Sequence, residues 1–184
     1  MRIIAGKAKG HALASPPGRE TRPTSDRVRE AIFNILAHGA AAAPIEDQRV
    51  LDLFAGTGAM GFEALSRGAK FCLFVEDDAT ARGVIRSNAE TLGFTGICKI
   101  WRRDATRLGR CAPQPPFGLV FIDPPYDKSL STAALSCLAE GRWLAPGAVI
   151  VVEESSRATV IAPEQLMLVE ERLYGDTRVI FFRA

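Results

Sequence analysis

The sequence is poor in the residues that bind metals and form disulfides. It contains only two histidines and four cysteines, at His11, His38, Cys72, Cys98, Cys111 and Cys137. No two cysteines form a C-x-x-C pair, the spacing on which structural zinc sites and redox-active dithiols depend. We therefore expect reduced, mostly buried cysteines and no bound metal.

Long apolar runs are missing as well. No stretch approaches the roughly 18 to 20 residues of a membrane span, and the first residues carry Arg2, Lys7 and Lys9 instead of a hydrophobic signal-peptide segment. Of the 184 residues, 47% are hydrophobic, which is enough for one buried core. We expect a monomeric cytoplasmic protein with one domain over residues 1–184, in which residues 1–38 form a basic extension.

The net charge is small, but the charges are unevenly distributed. The net charge is +2, yet residues 1–29 hold seven basic and two acidic residues, a net +5 that leaves −3 for the rest. A basic arm of this kind can bind phosphates, because each neutralised phosphate releases a counterion. A solvated surface segment would carry the same charges, so that alternative stays open. The candidate RNA contacts are Lys7, Lys9, Arg19, Arg22 and Arg27.

The order of apolar segments predicts an α/β fold. The predicted elements are a hairpin of residues 2–5 and 10–14, a helix from about Ser25, strands at 50–54, 71–75, 97–101, 119–122 and 149–152, and helices at 59–67, 79–92 and 130–140. Alternation of strands and helices indicates a doubly wound parallel sheet. Two final runs, 166–173 and 177–182, are joined by only three residues, which permits only an antiparallel hairpin. The chain resembles class I methyltransferases, whose seven-stranded Rossmann-like sheet ends this way.

A glycine loop follows the first strand of this sheet. Gly56, Gly58 and Gly61 form the pattern G-x-G-x-x-G, which lets a ligand approach the backbone closely. Glu76 ends the next strand, where a carboxylate can accept hydrogen bonds from ribose hydroxyls. A dinucleotide dehydrogenase would show a similar loop. Asp52 favours S-adenosylmethionine instead, because a carboxylate lies unfavourably near a pyrophosphate but can bind a cationic amino-acid group.

Three further residues are predicted to contact the same cofactor. Phe54 lies within the loop, and Asp104 and Ala105 follow the third strand. Asp104 can accept a hydrogen bond from the adenine amino group, and the Ala105 N–H can donate to a ring nitrogen. A loop aspartate that caps a local turn is an equally good interpretation of Asp104.

A second motif, Asp123-Pro124-Pro125-Tyr126, directly follows the apolar strand at 119–122. We call it the catalytic turn, and its two prolines make it stiff. The Asp123 carboxylate and the Pro124 carbonyl can each accept one N–H of an exocyclic amine, and Tyr126 can stack on the base. Those acceptors bind the amine more strongly as it gains positive charge, which is the condition for catalysis. An ordinary turn that closes a strand remains the alternative.

Beyond these motifs, the chain resembles the RsmD family of bacterial 16S rRNA guanine-N2 methyltransferases over essentially its full length. The matching stretches are residues 2–6, 22–24, 26–31, 52–61, 63–69, 123–126 and 174–177. The resemblance implies methylation of one guanine, guanine 966 in the conventional rRNA numbering, within the assembling or assembled small ribosomal subunit. It also implies that residues 22–24 and the following helix lie over the donor pocket, beside the rRNA backbone.

Three other functions remain in view. A DNA adenine-N6 methyltransferase shares both motifs, but this chain has no spare segment for reading a DNA sequence. A nicotinamide-dependent oxidoreductase would need a substrate domain. A non-catalytic RNA-binding module would explain the basic arm but would leave Asp52, Glu76 and the catalytic turn unexplained.

Overall fold

The computed structural model describes residues 1–15, 26–126 and 129–184. Its helices are α1 (Asp26–His38), α2 (Ala59–Ser66), α3 (Ala79–Thr91) and α4 (Leu130–Glu140). Its strands are β1 (Arg49–Leu53), β2 (Phe71–Val75), β3 (Cys98–Trp101), β4 (Phe117–Ile122), β5 (Leu144–Ser155), β6 (Met167–Tyr174) and β7 (Thr177–Arg183). The predicted Arg19 and Arg22 contacts and residues 22–24 lie outside the described residues.

All seven strands form one sheet with the order β3-β2-β1-β4-β5-β7-β6. The first five pair in parallel, and β7 lies antiparallel between β5 and β6. The predicted fold class is therefore confirmed. After β1 the chain adds β2 and β3 on one side of β1, and it then adds β4 and β5 on the other side. The order of strands therefore reverses at β1, and a crevice opens between the carboxyl ends of β1 and β4.

Two layers of side chains cover the sheet. On the face that we call the α2 face, α1, α2 and α3 pack against the strands, and the Phe33 and Phe121 rings lie 5.6 Å apart. On the opposite face, α4 and the connection from β3 to β4 surround Trp143, which stacks on Phe117 at 5.9 Å. Both layers are apolar, as a sheet buried on two sides requires.

The N-terminal hairpin is less regular than predicted. Its two arms share a single antiparallel bridge, between Arg2 and Ala12, and form no strands. Three backbone hydrogen bonds still join the arms, from Ile3 to His11, from Gly10 to Ile3 and from Leu13 to Met1. The first arm also binds α2, because the buried Glu63 carboxylate accepts the N–H groups of Ile4 (2.8 Å) and Ala5 (3.0 Å). Gly6 packs so tightly there that a Cβ would lie 1.9 Å from the Ser66 carbonyl oxygen.

Other differences concern the ends of elements. β5 begins five residues before the predicted Val149, because Leu144 pairs with Phe117 ahead of a register shift in β4. β3 begins at Cys98, since residues Thr95–Ile97 form a 3-10 turn. The four cysteines are free, and Cys72 and Cys111 are buried while Cys98 and Cys137 are half-buried. Within the described part of the chain, no helix is long and apolar enough to cross a membrane.

Candidate active site

Four carboxylates lie at the carboxyl ends of neighbouring strands. Asp52 is in β1, Glu76 follows β2, Asp123 follows β4, and Glu153 is near the end of β5. The residue two positions before each of them belongs to the core of the α2 face, as Val50, Phe74, Phe121 and Val151 do. Because side chains alternate along a strand, Asp52 and Glu153 project to that face, and Glu76 and Asp123 continue the alternation one residue beyond β2 and β4. The sequence pointed to three of them and missed Glu153.

The three glycines of the loop serve different purposes. A Cβ on Gly58 would lie 2.6 Å from the Phe62 ring, and one on Gly61 would lie 2.3 Å from the Phe74 ring. These two glycines therefore allow α2 to pack on β2. Around Gly56 the nearest atom to such a Cβ is 3.9 Å away, so its bare backbone faces open space. Phe54 has a φ of 56°, a left-handed conformation that is uncommon outside glycine and clusters at functional sites.

Carboxylates already hold the backbone of this loop. The Gly56 N–H donates to Glu76 Oε2 at 2.8 Å, and the Gly61 N–H donates to Asp52 Oδ2 at 2.9 Å. In a dinucleotide site, loop N–H groups at the helix start point at the pyrophosphate. Here two of these N–H groups are already bonded to carboxyl groups, which a cation can bring to the ionised form. The loop therefore suits a ligand with a cationic group and hydroxyls better than a phosphate.

Burial strongly affects the charge of Asp52. Loss of hydration raises its pKa to about 8, the Gly61 N–H opposes that rise, and the nearby Glu76 charge adds to it. Burial also raises the pKa of Glu76, against the hydrogen bonds from the Asp78 and Gly56 N–H groups. A cation in the crevice would favour the ionised form of both carboxyls.

Asp104 is held in a local turn. Its Oδ1 accepts the Thr106 N–H at 2.8 Å and the Thr106 hydroxyl at 2.7 Å, and these bonds lower the pKa of Asp104. Ala105 is buried in the core on the opposite sheet face. The turn-capping interpretation therefore describes the contacts of Asp104 here, and its predicted role toward adenine stays a prediction.

The catalytic turn is held at two points. The backbone of Asp123 contacts β1, and the hydroxyl of Tyr126 contacts β5 and β7. Asp123 is half-buried, and its N–H donates to the Leu53 carbonyl at 3.4 Å. The Tyr126 hydroxyl donates to Glu153 Oε1 at 3.2 Å and lies 3.2 Å from Thr177 Oγ1. Burial is the main cause that raises the pKa of Tyr126, so the phenol stays protonated.

Sequence reasoning missed Glu153 and Thr177, the two partners of Tyr126. Both signals were visible. Glu153 and Glu154 are two acidic residues that follow an apolar run in β5, and Thr177 ends the stretch 174–177 that matched the RsmD family. Neither residue is close to the catalytic turn in sequence, so only the pairing of β5 with β7 brings them to it.

The described basic residues of the arm do not all lie at this edge. The Lys7 N–H donates to the carbonyl of Ser66, the last residue of α2, and the Lys7 ammonium lies 4.7 Å from the centre of the Phe94 ring. The eight residues of α2 separate this point from the glycine loop by about 12 Å. Lys9 is exposed in the same turn, and Arg27 is exposed in the first turn of α1.

Residues 1–15 nevertheless reach the loop through their two ends. The Asn88 amide donates to the carbonyls of Ala14 (3.3 Å) and Thr57 (3.1 Å), and its oxygen accepts the Ala14 N–H at 2.8 Å. The Thr57 hydroxyl also lies 3.7 Å from the Met1 sulfur. The N-terminal segment is thus packed on the methyltransferase-like core beside the predicted donor pocket.

A second basic segment was missed from the sequence. Residues 99–110 hold five basic residues and one acidic residue, a net +4, so that all residues outside 1–29 and 99–110 together carry −7. Arg102, Arg103, Arg107 and Arg110 are exposed. The Lys99 ammonium and the Arg103 guanidinium lie 5.6 Å and 5.0 Å from the centre of the Trp101 ring. A charge count in short windows would have revealed this segment, which begins at the carboxyl end of β3.

Comparisons with known proteins agree with this architecture. The profile of a family described as conserved hypothetical protein 95 matches residues 1–183. Proteins named ribosomal RNA small subunit methyltransferase D are 38% identical in Haemophilus influenzae and 35% identical in Escherichia coli. These alignments cover 95% and 96% of this chain and 89% and 86% of the relatives.

Solved structures give the same result. A candidate methyltransferase from Escherichia coli superposes with a TM-score of 0.85 at 31% identity, covering 100% of this chain and 97% of that one. A candidate methylase from Haemophilus influenzae gives 0.81 at 35% identity, with 99% and 97% coverage. The predicted resemblance is confirmed over the whole chain.

Proposed function

This chain belongs to the conserved hypothetical protein 95 family, and we propose that it methylates the N2 amino group of a guanine in 16S rRNA with S-adenosylmethionine as donor. By resemblance the target is guanine 966 of the small ribosomal subunit. One observation carries the proposal. Asp123 follows β4 across the switch point from the glycine loop, and it projects to the same sheet face as Asp52 and Glu76.

The chemistry of the predicted donor site suits S-adenosylmethionine. Asp52 would bind the ammonium group, Glu76 the ribose hydroxyls, and Asp104 with the Ala105 N–H the adenine. The Gly56 backbone, Phe54 and Gly58 would form the wall along which the ligand lies, since the space beside Gly56 is open. S-adenosylmethionine supplies a methyl group on a cationic sulfur, which suits an anionic crevice.

The catalytic turn would position the acceptor. The amine of a base is a poor nucleophile because its lone pair is delocalised into the ring, so the main gain comes from orientation. Asp123 and the Pro124 carbonyl would each accept one N–H, Pro125 would keep the turn stiff, and Tyr126 would stack on the base. As the nitrogen becomes positive, both acceptors bind it more tightly. Asp123 can then take the released proton or pass it to water.

The names of the relatives and the charges of this chain support an rRNA substrate. Relatives with similar sequences over nearly their whole length are named for the RNA of the small ribosomal subunit. The basic arm and residues 99–110 provide cationic surfaces that would neutralise phosphates. In the arm, this role would fall to Lys7, Lys9 and Arg27 among others. We propose that the protein acts as a monomer, in the cytoplasm, on rRNA in the assembling or assembled subunit.

The test is mass mapping of rRNA methylation in cells that lack this protein. We expect one guanine to lose its N2-methyl group and regain it when the wild-type gene is returned, but not when Asp123→Ala is returned. Unchanged rRNA together with a lost adenine mark in DNA would instead support the DNA methyltransferase alternative.

A further inference from the structure

We infer that Glu153 reads the N1–H group of the target guanine and thereby selects guanine over adenine. This inference rests on the proposed function, because it concerns the same base in the same crevice. It addresses a property that the catalytic turn cannot supply. Asp123 and the Pro124 carbonyl recognise only an exocyclic amine, which adenine and guanine both have.

The strand pairing brings Glu153 next to the start of the catalytic turn. Ile122, the last residue of β4, pairs with Val152 of β5, so Asp123 leaves the strand at the level where β5 continues with Glu153. Neighbouring strands are about 4.8 Å apart. Both carboxylates project to the α2 face, because Phe121 and Val151, two residues earlier, belong to that core.

The contacts of Glu153 hold its side chain on the side of the crevice where the catalytic turn lies, which we call the acceptor side. Its side chain is buried, with 7% of the residue exposed, and Oε1 accepts the Tyr126 hydroxyl at 3.2 Å. The carboxylate is therefore held between the catalytic turn and β7. A base stacked on Tyr126 with its amine at Asp123 would turn the rest of its Watson–Crick edge toward Glu153.

The chemistry of that edge differs between the two purines. Guanine carries two adjacent donors there, N1–H and the N2 amine, whereas adenine has an unprotonated N1 beside its amine. Two neighbouring carboxylates can accept from both guanine donors. Against adenine, the Glu153 carboxylate would face the N1 lone pair, so two acceptors would meet without a proton between them and the bond made to guanine would be lost.

The experiment uses 2-aminopurine, which keeps the N2 amine but has an unprotonated N1. Small subunits would be reconstituted with 16S rRNA carrying guanine or 2-aminopurine at the mapped position. Initial rates of methyl transfer would give kcat/KM for each. We expect wild-type protein to prefer guanine by about 10- to 100-fold, the range of one charge-assisted hydrogen bond.

Glu153→Gln is the decisive variant, because glutamine can donate to an unprotonated N1. It should lower kcat/KM on guanine and raise it on 2-aminopurine, reducing the preference at least about tenfold. Thr177→Val is the matched control, since it removes the other partner of the Tyr126 hydroxyl. It should lower both rates by the same factor. Thermal unfolding and calorimetry with S-adenosylmethionine would verify that each variant folds and binds the donor.

Two results would overturn the inference. If Glu153→Gln lowers both rates equally, Glu153 acts only by holding Tyr126, as Thr177 does. If folded Glu153→Gln leaves both rates unchanged, it does not contact the base. Failure of the proposed function looks different, because wild-type protein would then leave the guanine substrate unmethylated.

Discussion

The donor side and the acceptor side of the crevice are built in different ways. On the donor side, Asp52 and Glu76 bond to backbone N–H groups of a loop that follows directly from β1. On the acceptor side, Tyr126 depends on Glu153 and Thr177, which lie 27 and 51 residues further along the chain. The donor side is a local structure whose glycines allow close packing, and the acceptor side is assembled by strand pairing. Changes on the two sides should therefore separate cofactor binding from methyl transfer.

The largest effect is expected for Asp123→Ala. Loss of a charged acceptor that strengthens in the transition state should lower methyl transfer by about 1,000-fold. Cofactor affinity should stay within a factor of about two, because Asp123 lies on the other side of the crevice. Calorimetry and rate measurements on the same preparation check this. Asp123→Asn, which keeps one acceptor oxygen, should fall in between, and full activity of the alanine variant would contradict the assigned role.

Gly61→Ala should damage the donor side through packing. Its Cβ would lie 2.3 Å from the Phe74 ring and 2.6 Å from the Cys72 sulfur, so we expect a loss of about 1–3 kcal/mol in the free energy of unfolding. Gly83→Ala is the matched control. Gly83 lies in α3 with nothing within 4 Å of such a Cβ, so this change should stabilise the protein by about 0.5–1 kcal/mol. Denaturant unfolding of both variants would reveal whether the opposite signs hold.

Asp52→Asn should weaken cofactor binding yet stabilise the free protein. Its pKa of about 8 in the folded state exceeds the value of an unfolded aspartate, so folded protein binds more protons over that interval. Stability contributed by this group therefore falls as pH rises from about 4 to about 8. Asparagine should flatten that dependence and raise the melting temperature near pH 8. An unaltered pH profile in the variant would show that Asp52 is not the group responsible.

The same carboxyl predicts proton release when the cofactor binds. A cation favours ionised Asp52, so at pH 7 binding should release close to one proton. Cofactor affinity should rise with pH until about 8, the pKa of the free site, and then level off. Calorimetry in buffers with different ionisation enthalpies measures this, and Asp52→Asn should abolish most of the release.

The smallest effects are expected on the basic surfaces. Arg107→Ala with Arg110→Ala, and separately Arg19→Ala with Arg22→Ala, should weaken RNA binding about tenfold and reduce its salt dependence by about one unit per lost phosphate contact. Cofactor affinity should not change. Binding isotherms at several salt concentrations compare the two pairs. A change in cofactor affinity for the second pair would instead make Arg19 and Arg22 part of the donor pocket.

Much of the fold could be predicted from the sequence because its signals are local. Helix α1 was predicted from apolar spacing, and β2 and α4 have the predicted bounds. The N-terminal hairpin forms as an antiparallel turn with a single bridge and no regular strands, because some of its backbone N–H groups bond to Glu63 and Ser66 of α2. No local pattern reports such a partner roughly 60 residues away in the chain.

By itself, the sequence determined the sheet, the glycine loop and the placement of Asp52, Glu76 and Asp123 at one edge. Strand periodicity and the requirement for glycine are properties of neighbouring residues, so they can be read along the chain. Only the tertiary structure showed that Glu153 and Thr177 contact Tyr126 and that Lys7 lies at the far end of α2. Those arrangements follow from strand register and helix packing, which join residues that are distant in sequence.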